Sequence, residues 1–422
     1  MDYVRIPLSL YIHIPFCVQK CLYCDFLSAS ASEEKKERYV EALLQEIDFW
    51  TEKICEKYWI NTVFIGGGTP TCLEPRHLER IGKGLKKLFT AVGNEPIEFT
   101  IEANPGTITK AHVQVMREMG VNRISLGLQS AQNNELKALG RIHTYEEFVE
   151  SYKLLRKNGF DNINIDLMAD IPEQTLESYQ DTLEKVLVLE PEHISSYSLI
   201  IEEGTPFYQM EEEGKLLIPD EEMDRKMYEL TQKLLAGNGY VRYEISNYAK
   251  KGRECRHNLT YWQMGEYLGL GLGASSYFGG YRFSNVSDMT EYFKFFCDMN
   301  HISASKALER EQRNKKCAEI SESATENYLE RNLQNVASYH KLSKNEEMEE
   351  FVFLGLRTMK GISLAEYNKR FDVNFRELYQ DILQDLLQKN LLAESENHDR
   401  IYLTEKGIDV SNIVLAEFLL EE

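Results

Sequence analysis

The first two thirds of this 422-residue chain alternate between short apolar runs and longer amphipathic stretches. Six of the short runs are nearly continuously apolar on at least one face, as strands buried in a parallel sheet are. These predicted strands cover residues 8–14, 62–66, 98–103, 123–128, 162–168 and 193–200. Predicted helices lie near 33–58, 75–91, 109–119, 145–158, 174–189 and 220–237. The alternation predicts an α/β fold of right-handed βαβ units, arranged as a barrel or as an open doubly wound sheet.

The remainder of the chain divides into two parts. Residues 301–345 contain no Gly or Pro and few large apolar residues, which fits solvated helices and a flexible insertion equally well. From about 346, apolar residues recur at helical spacing, as Phe375, Leu378, Ile382 and Leu386 do, and residues 391–404 predict a hairpin. We therefore predict a core at 1–300, a polar connecting or inserted segment at 301–345, and a small winged-helix-like domain at 346–422.

Charge and composition argue against several classes of protein. The 48 Lys and Arg against 68 Asp and Glu give a net charge of −20, which argues against a nucleic-acid partner. No uninterrupted apolar stretch is long enough for a membrane span, and the N-terminus lacks the cleavage site of a signal peptide. Eight Cys are too few for a disulfide-rich secreted scaffold. We therefore expect a protein of the reducing cytoplasm.

Three cysteines lie together directly after the first predicted strand. Cys17, Cys21 and Cys24 form a C-x3-C-x2-C pattern, whereas the other cysteines are scattered along the chain. Thiolates on one short loop can bind a single metal centre. Structural zinc usually has four protein ligands, and no second pair of cysteines is present to complete them. A [4Fe–4S] cluster held by three cysteines leaves one iron open, so the spacing favours an iron–sulfur cluster and keeps zinc as the alternative.

The segment YIHIPFC at residues 11–17, followed by Cys21 and Cys24, resembles the radical S-adenosylmethionine (SAM) superfamily. More narrowly, it resembles the branch that contains oxygen-independent coproporphyrinogen III oxidase and its haem-chaperone relative. The resemblance implies a partial (β/α)6 barrel, a [4Fe–4S] cluster on the three cysteines, and SAM on the open iron. It also implies that an electron donor such as flavodoxin or ferredoxin reduces the cluster, which then cleaves SAM to a 5′-deoxyadenosyl radical.

The same resemblance implies a set of SAM-binding residues at the strand ends. The turn GGGTP at residues 66–70 follows the second strand, where missing side chains let the backbone approach a ligand closely. Polar residues end the third, fourth and fifth strands, and they suit the charged and hydroxyl groups of SAM. The candidate SAM-binding residues are Tyr11, Gly67, Gly68, Thr69, Glu102, Gln129, Arg141 and Asp166. Relatives usually have glycines after the fifth strand where this chain has Asp170 and Glu173. The sequence therefore does not predict the conformation of that turn.

Two departures separate this chain from the oxidase. Phe26 stands where the oxidase has a further cysteine, and only 16 residues precede Cys17 where the oxidase has a long extension. The segment RHNLTYW at residues 256–262 instead matches the H-N-x-x-Y-W motif of the haem-chaperone branch. In that branch the histidine is a proposed haem ligand, and a neutral imidazole is a natural axial ligand for haem iron. His257 is therefore the candidate haem-binding residue.

The resemblance thus implies a haem chaperone that binds haem and delivers it to haem-requiring respiratory proteins. A membrane-associated acceptor is compatible with this function, although the chain itself has no predicted span. The alternative within the family is an oxidase-type enzyme that converts two propionates of coproporphyrinogen III to vinyl groups, so whether the chain is an enzyme stays open. A third hypothesis, from another class, is a zinc-stabilised interaction protein.

Overall fold

The parallel strands follow one another across the sheet in the order in which they occur along the chain. The computed structural model describes residues 5–54, 57–298 and 335–420. Its six central strands are β1 Ile6–Ile14, β2 Tyr58–Gly67, β3 Glu98–Ala103, β4 Arg123–Gln129, β5 Ile163–Ala169 and β6 His193–Ser198. A doubly wound sheet would reverse its direction midway, and this order does not. Since β1 next pairs with β9 and β6 with β8, the structure confirms a partial (β/α)6 barrel.

Helices connect these strands as the sequence predicts. They are α1 Glu33–Ile54, α2 Pro75–Val92, α3 Lys110–Met119, α4 Asn133–Ala138, α5 Tyr145–Lys157, α6 Leu176–Leu187, α7 Pro206–Glu212 and α8 Glu221–Gly237. Thr109, Thr144 and Thr175 begin α3, α5 and α6 with capping boxes, which satisfy free backbone N–H groups at the helix starts. The short helices α4 and α7 were not predicted, because fewer than two turns give no usable periodicity.

The strands are apolar on the face that the helices cover and largely polar on the other. On β1, Leu8, Leu10 and Ile12 are fully buried in the core that also contains Leu43 and Ile47 of α1. Side chains alternate along a strand, so the residues between them point to the opposite face, inside the half-barrel. That inner face carries polar side chains on neighbouring strands, which are Ser9, Thr62, Thr100, Ser125, Asn164 and His193.

Residues after α8 extend the sheet at both edges. The further elements are β7 Val241–Glu244, β8 Asn247–Ala249, α9 Arg256–Trp262, β9 Tyr267–Leu270, β10 Ser275–Phe278, β11 Tyr281–Asn285, α10 Met289–Phe293, a π-helical turn Lys294–Asp298 and β12 Val336–Lys341. Strand β9 runs parallel to β1, and β10, β11 and β12 continue from it antiparallel. Most of the predicted segment 301–345 lies outside the described residues, and its last part forms β12.

The C-terminal part forms a second apolar core. Its helices are Lys344–Leu356, Leu364–Phe371, Phe375–Leu378, Gln380–Gln388, Glu405–Asp409 and Ser411–Ala416, and its strands are β13 Ile362–Ser363, β14 Leu392–Glu394 and β15 Arg400–Leu403. The three strands form one small sheet, and β14 and β15 are the predicted hairpin. Tyr367 and Phe375 are fully buried in this core, which Met264 and Tyr277 of the barrel part also join. In the described part of the chain, no helix combines the length and apolar character that a membrane crossing requires.

Candidate functional site

The three clustered cysteines lie on the loop between β1 and α1. The Cys17 N–H donates to the Ala29 carbonyl at 3.1 Å, and the Ala29 N–H donates to the Pro15 carbonyl at 3.1 Å. These two bonds close the loop at its base. Cys17, Cys21 and Cys24 are all free of disulfides and partly buried. The loop therefore presents three thiols next to the C-terminal end of the barrel strands.

The donor set of this loop fits a [4Fe–4S] cluster. In the described part of the chain, the only group of three or more possible metal-ligand atoms that all lie within 4.8 Å of one another is at Glu33, Glu74 and His77. At least one pair of the three loop sulfurs is therefore more than 4.8 Å apart. Sulfurs that share one zinc ion lie about 4 Å apart, because each Zn–S bond is about 2.3 Å. In a cluster each cysteine binds a different iron, which needs a wider spacing. The nearby Cys72 Sγ donates to the Phe16 carbonyl at 3.3 Å.

The glycine-rich turn at the end of β2 is packed directly against the cysteine loop. The Thr69 N–H donates to the Phe16 carbonyl at 2.7 Å. A Cβ on Gly68 would lie 2.5 Å from that same carbonyl oxygen. Gly67 has a φ of +108°, and a Cβ on it would lie 2.4 Å from the His13 ring. Glycine at position 67 therefore lets the turn approach β1, and glycine at position 68 lets it approach the start of the cysteine loop.

A chain of side-chain hydrogen bonds connects two predicted SAM-site residues to the first cysteine. Arg141 Nη1 donates to Asn104 Oδ1 at 3.2 Å, and Asn104 Nδ2 donates to Thr69 Oγ1 at 2.7 Å. Thr69 Oγ1 in turn donates to Cys17 Sγ at 3.6 Å. Asn104 was missed by the sequence analysis. The available signal was its place directly after the third strand, where the C-terminal strand ends collect functional residues.

The carboxylates of Glu102 on β3 and Asp166 on β5 lie near each other inside the half-barrel. Glu102 Oε2 accepts the Gly67 N–H at 3.0 Å. Burial and the nearby Asp166 carboxylate raise the pKa of Glu102 to about 8. Asp166 accepts from Asn164 Nδ2 at 2.7 Å and from Ser125 Oγ at 3.1 Å, and burial raises its pKa as well. Two buried acids without a full set of cationic partners suit a positively charged ligand.

Gln129 and Arg141 each keep one buried polar atom unpaired. Gln129 Oε1 and Arg141 Nε have no hydrogen-bond partner within the described ranges. Gln129 ends β4 with a φ of +65°, an unusual conformation for a residue with a side chain, and its side chain hydrogen-bonds to Tyr197. An unpaired acceptor and an unpaired donor are costly unless a ligand satisfies them. Together with the two carboxylates, they fit the charged aminoacyl and ribose groups of SAM.

Tyr11 lies on the inner face of β1 next to this acidic pair. Because His13 Nε2 donates to the Leu27 carbonyl at 2.8 Å, His13 Nδ1 carries the lone pair and accepts from the Tyr11 hydroxyl at 3.0 Å. Burial, together with the negative charge of Glu102, raises the pKa of Tyr11. Of the predicted SAM-site residues, Tyr11 and Asp166 lie within β1 and β5, whereas Gly67, Glu102 and Gln129 lie at the ends of β2, β3 and β4, and Thr69 and Arg141 lie on loops.

Two non-glycine residues in the turn after β5 adopt the left-handed backbone conformation. Asp170 has a φ of +61° and Glu173 has a φ of +62°, which is the left-handed region that glycine adopts most easily. Burial, and next the neighbouring Asp224 carboxylate, raise the pKa of Asp170 to about 7. The replacement of the two expected glycines therefore adds acidic side chains at this rim while the backbone of the turn stays in the left-handed region.

His257 lies inside the half-barrel, on α9, and is 1% exposed. Its Nδ1 is 2.7 Å from Thr62 Oγ1, and Thr62 donates onward to Ser9 Oγ at 2.8 Å. Nδ1–H is therefore the donor to Thr62, and the Nε2 lone pair accepts from the Tyr261 hydroxyl at 2.8 Å. Burial and the positive charge of Arg123 lower the pKa of His257 to about 3. Both ring nitrogens are occupied, so this conformation offers no nitrogen to a haem iron.

Glu98 holds α9 in this buried position. Its two carboxylate oxygens accept the backbone N–H groups of Arg256 and His257, each at 3.0 Å. The Cys255 Sγ donates to the same carboxylate at 3.5 Å. Cys255 is fully buried, and burial raises the pKa of its thiol to about 12. The motif helix is therefore capped from inside the barrel, near the N-terminal end of β3.

Comparisons with known proteins give matches to two family models and to relatives of similar length. Residues 11–186 match the model of the Radical SAM superfamily, and residues 342–410 match that of the HemN C-terminal domain. A protein of Lactococcus lactis named Heme chaperone HemW is 36% identical over 99% of this chain and 98% of its own length. A protein of the same name from Bacillus subtilis is 34% identical over 98% of this chain and 99% of its own length.

A solved structure shares the whole fold. Coproporphyrinogen III oxidase (HemN) from Escherichia coli, described as a radical SAM enzyme, superposes with a TM-score of 0.77. The match covers 98% of this chain and 90% of that one, at 21% sequence identity. At this identity the likeness establishes a common architecture, including the C-terminal part, and says nothing about a shared reaction.

Proposed function

We propose that this chain, which belongs to the haem-chaperone family of the radical SAM superfamily, binds haem and delivers it to haem-requiring proteins. Its cofactors are a [4Fe–4S] cluster and SAM. The observation that carries this function is the similarity, over almost the full length of both chains, to two proteins named Heme chaperone HemW. The solved oxidase shares the architecture at a much lower identity.

Within this function, the cysteine loop holds the cluster. Cys17, Cys21 and Cys24 would each hold one iron of the cluster and leave the fourth available to SAM. When reduced, such a cluster supplies one electron to the SAM sulfonium. Thr69 supports this loop, because its hydroxyl donates to Cys17 Sγ and its own position is fixed by Asn104. Gly67 and Gly68 allow the turn to pack against His13 and the Phe16 carbonyl, which would place its backbone beside the cluster-binding loop.

Residues on the inner face and at the strand ends would hold the aminoacyl and ribose groups of SAM. Glu102 and Asp166 would supply negative charge to the ammonium and sulfonium groups and hydrogen-bond acceptors to the ribose. Arg141 supplies a donor through its unpaired Nε, and Gln129 supplies an acceptor through its unpaired Oε1. Tyr11 holds the edge of this site beside Glu102. Gln129 and Arg141 thus each have a buried polar atom that the described part of the protein leaves without a hydrogen bond.

Haem is the cargo, and His257 is the proposed axial ligand only in a state where α9 has opened. The atom that would coordinate the haem iron is Nε2, which has a lone pair, because Nδ1 carries the proton that is donated to Thr62. Opening must break the hydrogen bond from Tyr261 and the backbone cap from Glu98. Haem uptake is therefore coupled to a movement of the motif helix.

The remaining partners follow from the same proposal. The chain acts in the cytoplasm, takes its electron from a donor such as flavodoxin or ferredoxin, and passes haem to respiratory proteins, of which some are membrane-associated. The cysteines of the described ranges are all free, as expected for a reducing compartment.

Two assays on one anaerobic preparation test the function. The cluster-loaded chain is titrated with haem and, separately, incubated with coproporphyrinogen III, SAM and a reductant. We expect stoichiometric haem binding and no formation of vinyl groups. Conversion of coproporphyrinogen III without haem binding would establish the oxidase alternative instead. Retention of zinc alone, with no iron or sulfide after reconstitution, would contradict both functions.

A further inference from the structure

A second group of metal-ligand side chains lies where α1 and α2 begin. A carboxylate oxygen of Glu33, a carboxylate oxygen of Glu74 and a ring nitrogen of His77 all lie within 4.8 Å of one another. Glu33 is the first residue of α1, and Glu74 directly precedes α2. Glu74 and His77 are three residues apart, a spacing that places both side chains on one face of the first helical turn.

The imidazole of this group is buried and only half satisfied. His77 is 0% exposed, and its Nε2 donates to Glu37 Oε2 at 3.0 Å. Its Nδ1 is buried and has no hydrogen-bond partner in the described part of the chain. Nδ1 is therefore the nitrogen left to coordinate. A histidine whose other ring N–H donates to a carboxylate is the usual arrangement around a bound metal, because that bond fixes the ring and its tautomer.

Each glutamate keeps one oxygen available for a ligand. Lys36 Nζ binds Glu33 Oε1 at 2.7 Å, and Arg76 Nε binds Glu74 Oε2 at 2.6 Å. The second oxygen of each carboxylate accepts no hydrogen bond within the described part of the chain. Two carboxylates and an imidazole with one unpaired nitrogen thus lie close together, an arrangement that a cation would stabilise.

We propose that Glu33, Glu74 and His77 bind one divalent transition-metal ion. One imidazole and two carboxylates suit Zn²⁺, Mn²⁺ and Fe²⁺, and three protein ligands leave room for water on the exposed side. Glu37 orients the imidazole from behind. The ion ties the first turn of α1 to the first turn of α2. Because Lys36 and Arg76 already neutralise part of the carboxylate charge, we expect a moderate affinity.

Manganese is the probe that separates this site from the cysteine loop. Mn²⁺ favours oxygen and nitrogen ligands over thiolates, and it is detected by electron paramagnetic resonance while the oxidised cluster is silent. The cluster-loaded chain is titrated with Mn²⁺, with Zn²⁺ as the competitor. We expect one Mn²⁺ per chain, at least tenfold weaker binding in Glu33→Gln and in Glu74→Gln, and unchanged binding in the control Glu34→Gln, an exposed neighbour of Glu33.

The imidazole gives a second and independent readout. Pulsed measurements on bound Mn²⁺ should show coupling to one ¹⁴N nucleus, and His77→Gln should remove it. If that variant does not fold, the coupling in the wild type and the two exposed glutamate variants still decide the question. The proposal is overturned if no stoichiometric Mn²⁺ binds, if both glutamate variants bind as the wild type does, or if the bound Mn²⁺ shows no nitrogen coupling.

Discussion

Tyr261→Phe tests whether haem and the Tyr261 hydroxyl compete for the same atom. That hydroxyl lies 2.8 Å from His257 Nε2, whose lone pair is the one a haem iron needs. The substitution removes the hydroxyl and keeps the ring, which packs edge-on against His257 at a centroid distance of 5.1 Å and against Tyr267 at 4.6 Å. It therefore removes the competing hydrogen bond with little change in packing.

The structure sets the size of the expected effect. A hydrogen bond of this kind contributes a net free energy of about 0.5–1.5 kcal/mol to the closed state. If haem coordination must break the hydrogen bond from Tyr261 to His257, removing that bond in Tyr261→Phe should tighten haem binding about two- to tenfold, since 1.4 kcal/mol corresponds to a factor of ten. The Nε2 atom left unpaired in the closed state acts in the same direction, because an unsatisfied buried acceptor is destabilising.

The assay is an anaerobic haem titration of the cluster-loaded chain, followed by the absorbance of bound haem. The matched control is Tyr267→Phe, whose hydroxyl bonds Arg282 Nη1 at 2.8 Å and not His257. We expect tighter binding in Tyr261→Phe, wild-type binding in the control, and a loss of the imidazole-ligated spectrum in His257→Ala. Unchanged or weaker binding in Tyr261→Phe, with a normal control, would refute the competition and the opening of α9 for ligation.

Three other predictions concern Glu102, Gly68 and Glu46. Because the pKa of Glu102 is about 8 in the empty site, binding of cationic SAM should release a proton, and its affinity should rise up to tenfold per pH unit towards pH 8. Calorimetry in buffers of different ionisation enthalpy should show this release in the wild type and not in Glu102→Gln. Gly68→Ala should displace the Phe16 carbonyl and lower the iron content per chain, whereas Gly237→Ala, where a Cβ meets open space, should leave it unchanged. Burial raises the pKa of Glu46 to about 7 in the folded chain, so the unfolded chain loses this proton at a lower pH than the folded chain does. The free energy of unfolding should therefore fall by up to about 3 kcal/mol as the pH rises from 4.5 to 7. Denaturant titrations should show that loss in the wild type and not in Glu46→Gln.

Most of the barrel part could be predicted from local sequence pattern. The predicted and observed bounds of the third strand agree, because its apolar residues alternate with polar ones and turn residues follow its end. The second strand begins at Tyr58, four residues before its predicted start, since its first residues mix aromatic and polar types. Helix α1 was predicted to 58 and ends at Ile54. Element ends depend on contacts that hydrophobic periodicity does not report.

The choice between a barrel and a doubly wound sheet needed the strand order. Both arrangements have the same alternation of strands and helices along the chain, so the sequence pattern is identical for the two. The structure decides between them because the six strands occur in chain order without a reversal. The same order places Glu102, Gln129 and Asp166 on three successive strands, with Glu102 and Gln129 at the strand ends and Asp166, predicted at a strand end, within β5.

The sequence alone therefore determined what is local: the strand and helix pattern, the three cysteines on one loop, and the polar residues at the strand ends. The tertiary structure alone decided which distant side chains meet. It placed Asn104 between Arg141 and Thr69, and it buried His257 with both nitrogens occupied. The physical reason is that spacing along the chain fixes a side chain's position on its own element. Its hydrogen-bond partners and its burial depend on strand register and packing between elements far apart in sequence.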